Sequence, residues 1–207
     1  MKKIYILLIT VLVFSCRSEI HSDNKKDIIT EEGNTNLYYK NSFKNGVIKD
    51  SIAALNFDEA NKANSLGYFD EAKELYELSN NLEPNNIVIL NALGGIYNIL
   101  EKPTKSSEYF KKSLKIDSLY SITYLNYGFS KSHNKEYDKA IELYEKGVSF
   151  ERNGEKRGYF YYNLSRVYYK KSEYKKAKYY INKSIELVND EIIRKQLFDF
   201  KEELGNY

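Results

Sequence analysis

Tyr161–Ser184 reads YYNLSRVYYKKSEYKKAKYYINKS and is built almost entirely from tyrosine and lysine. Interleaved rings and cations are what a nucleic-acid surface offers, with rings for bases and ammonium groups for phosphates. They are also what a helical repeat shows when its core uses tyrosine. Spacing separates the two readings. Tyr161, Leu164, Ser165 and Tyr168 fall at i, i+3, i+4 and i+7, which is one face of a helix. Ala177 and Ile181 repeat that logic half a unit later.

The same text recurs upstream. A small residue stands four positions before a large one at Ala72/Tyr76, Ser106/Phe110, Ala140/Tyr144 and, loosely, Ala177/Ile181. The steps between the small residues are 34, 34 and 37. Ahead of each lies a second helical half: Leu90, Leu93, Gly94 and Tyr97; Tyr124, Tyr127 and Gly128; Tyr161, Leu164, Ser165 and Tyr168. A fixed period of this length means stacked supersecondary units that cannot bury their apolar faces alone.

These residues resemble the tetratricopeptide repeat (TPR) family, whose pattern is Trp-x-x-Leu-Gly-x-x-Tyr, then Ala-x-x-x-Phe, then Pro, within 34 residues. Units fall at about 53–86, 87–120, 121–154 and 158–191, and Pro84, Gly67 and Phe69 match further places in the first. The resemblance implies an all-α, right-handed superhelical solenoid of about four helix-turn-helix repeats. Hairpins are expected near 51–82, 86–116, 120–150 and 157–188. Departures are the absence of tryptophan, Asn56 where a large aromatic is usual, and three extra residues near 155–157. Ile192, Ile193, Leu197, Phe200 and Leu204 then share one face of a capping helix over 190–204, which a solenoid end needs for solubility. The TPR domain is therefore placed at 48–207. Tyr161, Tyr168 and Tyr174 fall in its core slots, so the nucleic-acid reading is set aside.

The chain ahead of the repeats has a different character. MKK is followed by the apolar run IYILLITVLVF, which has the proportions of a signal peptide and is short for a spanning helix. Val13-Phe14-Ser15-Cys16 resembles a bacterial lipobox, which implies a lipoprotein signal peptide over 1–15 and lipid on Cys16, the only cysteine. Several acyl chains anchor a protein stably where one does not. Residues 16–47 are read as the lipidated cysteine and a flexible tether, because Asn, Ser, Lys, Glu and Asp dominate without helical or strand period. The resulting expectation is a lipid-anchored protein of the bacterial cell envelope. Arg17 after the cysteine suits outer-membrane delivery facing the periplasm.

Composition excludes several function classes. The net charge is +3 over 207 residues, small for a dedicated nucleic-acid binder. The two histidines, His21 and His133, have no cysteine partner, and there is no HExxH, phosphate-binding Gly loop or GxSxG. No catalytic residue, cofactor or metal is expected. Function is placed on the solenoid surface, in a non-enzymatic scaffold that binds a protein or peptide segment. The alternatives are a glycan or small-ligand binder and an accessory subunit of an outer-membrane assembly or uptake machine.

In the family, first helices line the concave groove. Projection places Phe57, Asn61, Asn64, Asn91, Asn98, Asn126, Phe129, Tyr159, Tyr162, Arg166 and Tyr169 there. Asn amides bond a peptide backbone through both groups, and aromatics with Arg are common interface anchors. The family's clamp for a terminal carboxylate uses Lys, Asn and Arg. The corresponding places hold Phe57, Asn61, Ala92, Ile122 and Asn126, so that ligand is not expected. The first unit carries two Lys against seven acids, and the fourth seven Lys plus Arg against four.

Overall fold

The computed structural model describes Ser42 and residues 46–205. Nine helices and no strand occur among them: α1 Ser51–Ser65, α2 Phe69–Leu82, α3 Ile87–Ile99, α4 Pro103–Ile116, α5 Ser121–His133, α6 Tyr137–Phe150, α7 Gly154–Lys170, α8 Tyr174–Leu187 and α9 Glu191–Gly205. They follow the expected hairpins in order, and α9 stands where a capping helix is expected. The signal peptide, Cys16 and most of the tether lie outside the described residues. The chain divides into two compact units, one ending at Lys102 and the other beginning at Pro103.

Polar groups start and stop the helices. Asp50 accepts from the N–H groups of Ile52 and Ala53 at 2.8 Å each, Asn86 caps α3, and Asn153 caps α7. Such caps satisfy donors that a helix start leaves open, each contributing about 1 kcal/mol. Pro103 opens α4, where its missing N–H costs nothing. Inside each hairpin the chain turns through a left-handed residue: Gly67 at φ +85°, Glu101 at 54°, Lys135 at 62° and Ser172 at 61°. The first is the residue type that this backbone favours; the other three carry a Cβ against it.

In the first unit, Ser79 Oγ donates to the Ala53 carbonyl at 2.8 Å, and the Tyr76 hydroxyl donates to Asn61 Oδ1 at 2.7 Å. Those pairings run α1 and α2 antiparallel. The α1 helix forms although Asn56 replaces an aromatic, because Ala53, Ala54, Phe57, Ala60 and Ala63 still give it a buried apolar side. Glu83 then accepts from the backbone N–H groups of Lys49 and Asp50 at 2.8 and 3.0 Å, tying the end of α2 to the approach to α1.

The second unit holds a continuous core of Tyr124, Leu125, Ala140, Tyr144, Phe160, Leu164, Val167, Ala177, Ile181, Val188, Leu197 and Leu204. Small residues let helices close on large ones. Gly128 lies under the Tyr144 ring, and Gly147 lies under the Phe160 ring. Serine serves where alanine is usual because its hydroxyl finds an acceptor. Ser106 and Ser130 are paired at 3.0 Å, and Ser184 donates to the Gly158 carbonyl at 2.8 Å. The three extra residues near 155–157 become one further turn at the start of α7, which has 17 residues against 13 in α5. Glu155 on that turn accepts from the N–H groups of Asn189 and Asp190 at 3.1 and 3.2 Å. Leu197 and Leu204 of α9 are fully buried, but Ile192 is 73% exposed, so it is not part of the apolar face expected of it.

Candidate partner-binding faces

Each unit presents its own first-helix face. In the first unit the structure corrects part of the projection. Phe57 is 1% exposed, with its ring 5.5 Å from Tyr76, so it is core and not groove. Asn91 and Asn98 are 6% and 5% exposed, and Asn91 Nδ2 donates back to the Ile87 carbonyl at 2.8 Å. Neither reaches a partner. Asn61 is partly exposed but already takes the Tyr76 hydroxyl. Asn64 is partly exposed, with a buried Oδ1 that has no donor among the described residues.

The second unit keeps its projected residues at the surface. Asn126 and Phe129 on α5, and Tyr159, Tyr162, Arg166 and Tyr169 on α7, are all partly exposed. The α5 and α7 helices are neighbours. On α7 the four residues fall within one side of the helix at 100° per residue. The Arg166 guanidinium stands 5.6 Å from the Tyr162 ring centre, a cation–π arrangement. Tyr162 and Tyr169 meet the Phe200 ring edge-on at 6.1 and 5.5 Å, and the Tyr169 hydroxyl donates to Glu203 at 2.6 Å. The capping helix α9 therefore holds two of the rings in place. Burial, with the charges of Glu155 and Asp190, pushes the Tyr159 phenol up to about 12.

Two residues on these faces escaped projection. Lys170 follows Arg166 by four positions, so both cations share a side of α7. Its ammonium lies 6.0 Å from the Tyr137 ring. Desolvation and the Arg166 charge hold it below the ordinary lysine value. Among the described residues neither Arg166 nor Lys170 makes an ion pair, whereas Lys171 next door pairs with Asp138 at 2.5 Å. The other is Asp58, 6% exposed on α1. It accepts from the Ser42 hydroxyl, and its second oxygen is buried without a donor. Burial pushes its carboxyl above the ordinary aspartate value, and the Ser42 bond pulls the other way. The i, i+4 spacing made Lys170 findable; nothing local marks Asp58.

Three matches to the family described as tetratricopeptide repeat cover residues 87–118, 122–153 and 159–190, one full hairpin each. The chain belongs to the tetratricopeptide repeat family. Solved structures agree on the fold of this TPR chain. A thermophilic TPR protein in Thermus thermophilus superposes with a TM-score of 0.68 at 14% identity, over 82% of this chain and 88% of that one. PilF of Pseudomonas aeruginosa gives 0.63 at 19%, over 75% and 71%. The first TPR of Spaghetti, solved bound to the HSP90 peptide SRMEEVD, gives 0.51 at 19%, over 58% and 94%. No curated protein matches the chain in sequence. TPR repeats and TPR neighbours support a protein–protein interaction scaffold.

Proposed function

We propose that this TPR chain is a non-enzymatic adaptor, held by lipid at Cys16 in a bacterial cell envelope at the outer membrane, facing the periplasm. It holds an acidic segment of a partner protein on the α5/α7 face. The observation that carries this reading is the pair Arg166 and Lys170: two cations one helical turn apart, without acids of their own, beside rings that α9 fixes. Cations left without an acid at a surface favour an anionic partner and reject a basic one. Fixed rings lose little freedom on binding, so the contact keeps more of its free energy. The residues differ from the Lys, Asn and Arg set of the family's terminal-carboxylate clamp, and no terminal carboxylate is required here.

Two measurements test this. Arg166→Glu with Lys170→Glu should abolish capture of the partner from envelope extracts while the helical circular dichroism stays unchanged. Loss equivalent to roughly 2 kcal/mol or more is the expectation for a central anchor pair. Equal capture by this variant and the parent would remove the face from consideration. Mass spectrometry of the mature chain should find a lipid-modified Cys16 at its N-terminus; an intact Met1 would refute the anchoring.

A further inference from the structure

The first unit carries a second face with a different chemistry. Asp58, Asn61 and Asn64 are spaced three apart and run along one side of α1. All three present oxygen acceptors. Asn61 Oδ1 takes the Tyr76 hydroxyl, one oxygen of Asp58 takes the Ser42 hydroxyl, and the other Asp58 oxygen and Asn64 Oδ1 are buried without donors. A buried acceptor without a donor is costly, so this row calls for a chain that brings N–H or O–H groups to it.

Such a chain is present in part. Ser42 lies 16 residues before Asp58, in the segment read from sequence as a tether, yet its hydroxyl reaches α1. Its carbonyl accepts from the N–H groups of Val47 and Ile48 at 3.2 and 3.3 Å, and Ile48 is fully buried. The Val47 carbonyl in turn accepts from Asn86 Nδ2 at 2.7 Å. The approach to α1 is thus pinned at both ends, at Ser42 on the acceptor row and at Val47–Ile48 on the hairpin.

We propose that the α1 row Asp58–Asn61–Asn64 is a binding face for an extended segment, and that the chain's own residues ending in Ser42 are its resident occupant. A partner segment engages this unit only by displacing them. The inference rests on the reading that first-helix faces take partner segments. It is tested without the partner of the α7 face, so the two fail separately. The Ser42 hydroxyl is the weak point of the occupant: one neutral donor against a carboxylate, with two further acceptors left open.

The probe is a fluorescent synthetic peptide copying residues 36–48, NLYYKNSFKNGVI, added to the full chain. The parent chain should bind it weakly because the face is already filled. Ser42→Asp sets carboxylate against carboxylate, releases the resident segment, and should tighten peptide binding at least tenfold. Combining Ser42→Asp with Asp58→Lys pairs the charges, re-seats the segment and should return binding to the parent level. Equal binding to the parent and to Ser42→Asp would overturn the proposal, as would absence of binding to folded Ser42→Asp. Hydrogen exchange on the unmodified chain gives an answer that needs no variant. The Val47 and Ile48 amides should be protected, and should lose protection when excess peptide competes. Free exchange of both amides in the unmodified chain would overturn the proposal.

Discussion

Adding one methyl group to two different helical glycines should move stability in opposite directions. Gly95 in α3 and Gly147 in α6 both have ordinary helical backbones. In a helix interior, Gly→Ala gains about 1 kcal/mol from propensity alone. A Cβ on Gly95 meets nothing within 4 Å, so Gly95→Ala should keep that gain. A Cβ on Gly147 would lie 2.2 Å from Phe160 Cε1, 2.6 Å from Phe160 Cζ and 2.9 Å from Tyr124 Cβ. Carbon atoms prefer about 3.5–4.0 Å, so the ring must retreat by more than 1 Å. Phe160 is almost fully buried against Tyr144, and the Tyr124 atom sits next to its own backbone, so neither yields freely. Overpacking of this kind costs about 1–3 kcal/mol, which offsets the propensity gain and leaves Gly147→Ala about 1 kcal/mol less stable than the parent. For a chain of this size each kcal/mol moves the melting temperature by about 2–4 °C. Thermal unfolding followed by circular dichroism should therefore rank Gly95→Ala above the parent and Gly147→Ala below it. Adding Phe160→Leu to Gly147→Ala should cost less than Phe160→Leu does alone, because the smaller side chain leaves room for the methyl. If Gly147→Ala stabilises as much as Gly95→Ala, the close approach of α6 to α7 is not a constraint on this fold.

Two further outcomes follow from the turns and from the buried acid. Lys135→Gly and Ser172→Gly relieve left-handed residues, which cost about 1–2 kcal/mol with a Cβ, so each should raise the melting temperature modestly after the added freedom of the unfolded chain is subtracted; a lower melting temperature in both would contradict the turn geometry. Asp58 is held above its ordinary value in the folded chain, so folding binds a proton there, and stability falls as pH rises from the ordinary aspartate range through the raised value. Asp58→Asn should match the parent in acid and become the more stable chain above that window. Melting curves from pH 3 to 8 that stay a constant distance apart would refute this assignment.

The 34-residue period was enough to place the helices and most of the second unit's core. The pattern is local. Small residues must recur where helices touch, and Tyr124, Tyr144 and Leu164 face inward because their own neighbours at three and four positions do. The extra residues near 155–157 were visible as an insertion, but only packing decided that they add a turn to α7 and carry Glu155 to the start of α9. The groove was legible where nothing further covers it. Asn126, Phe129, Tyr159, Tyr162, Arg166 and Tyr169 stayed at the surface, while Phe57, Asn91 and Asn98 did not.

The physical reason is that periodicity reports which side of a helix is apolar, whereas burial of the remaining side depends on what else comes to lie against it. Phe57 looks outward by repeat position and inward once the Tyr76 ring meets it. Asp58 reads as a solvated charge at the surface of an acidic unit. It becomes a buried acceptor only because Ser42, from a stretch with no helical pattern, returns to α1. Contacts between residues distant in sequence decide such cases, and a single repeat unit contains none of that information.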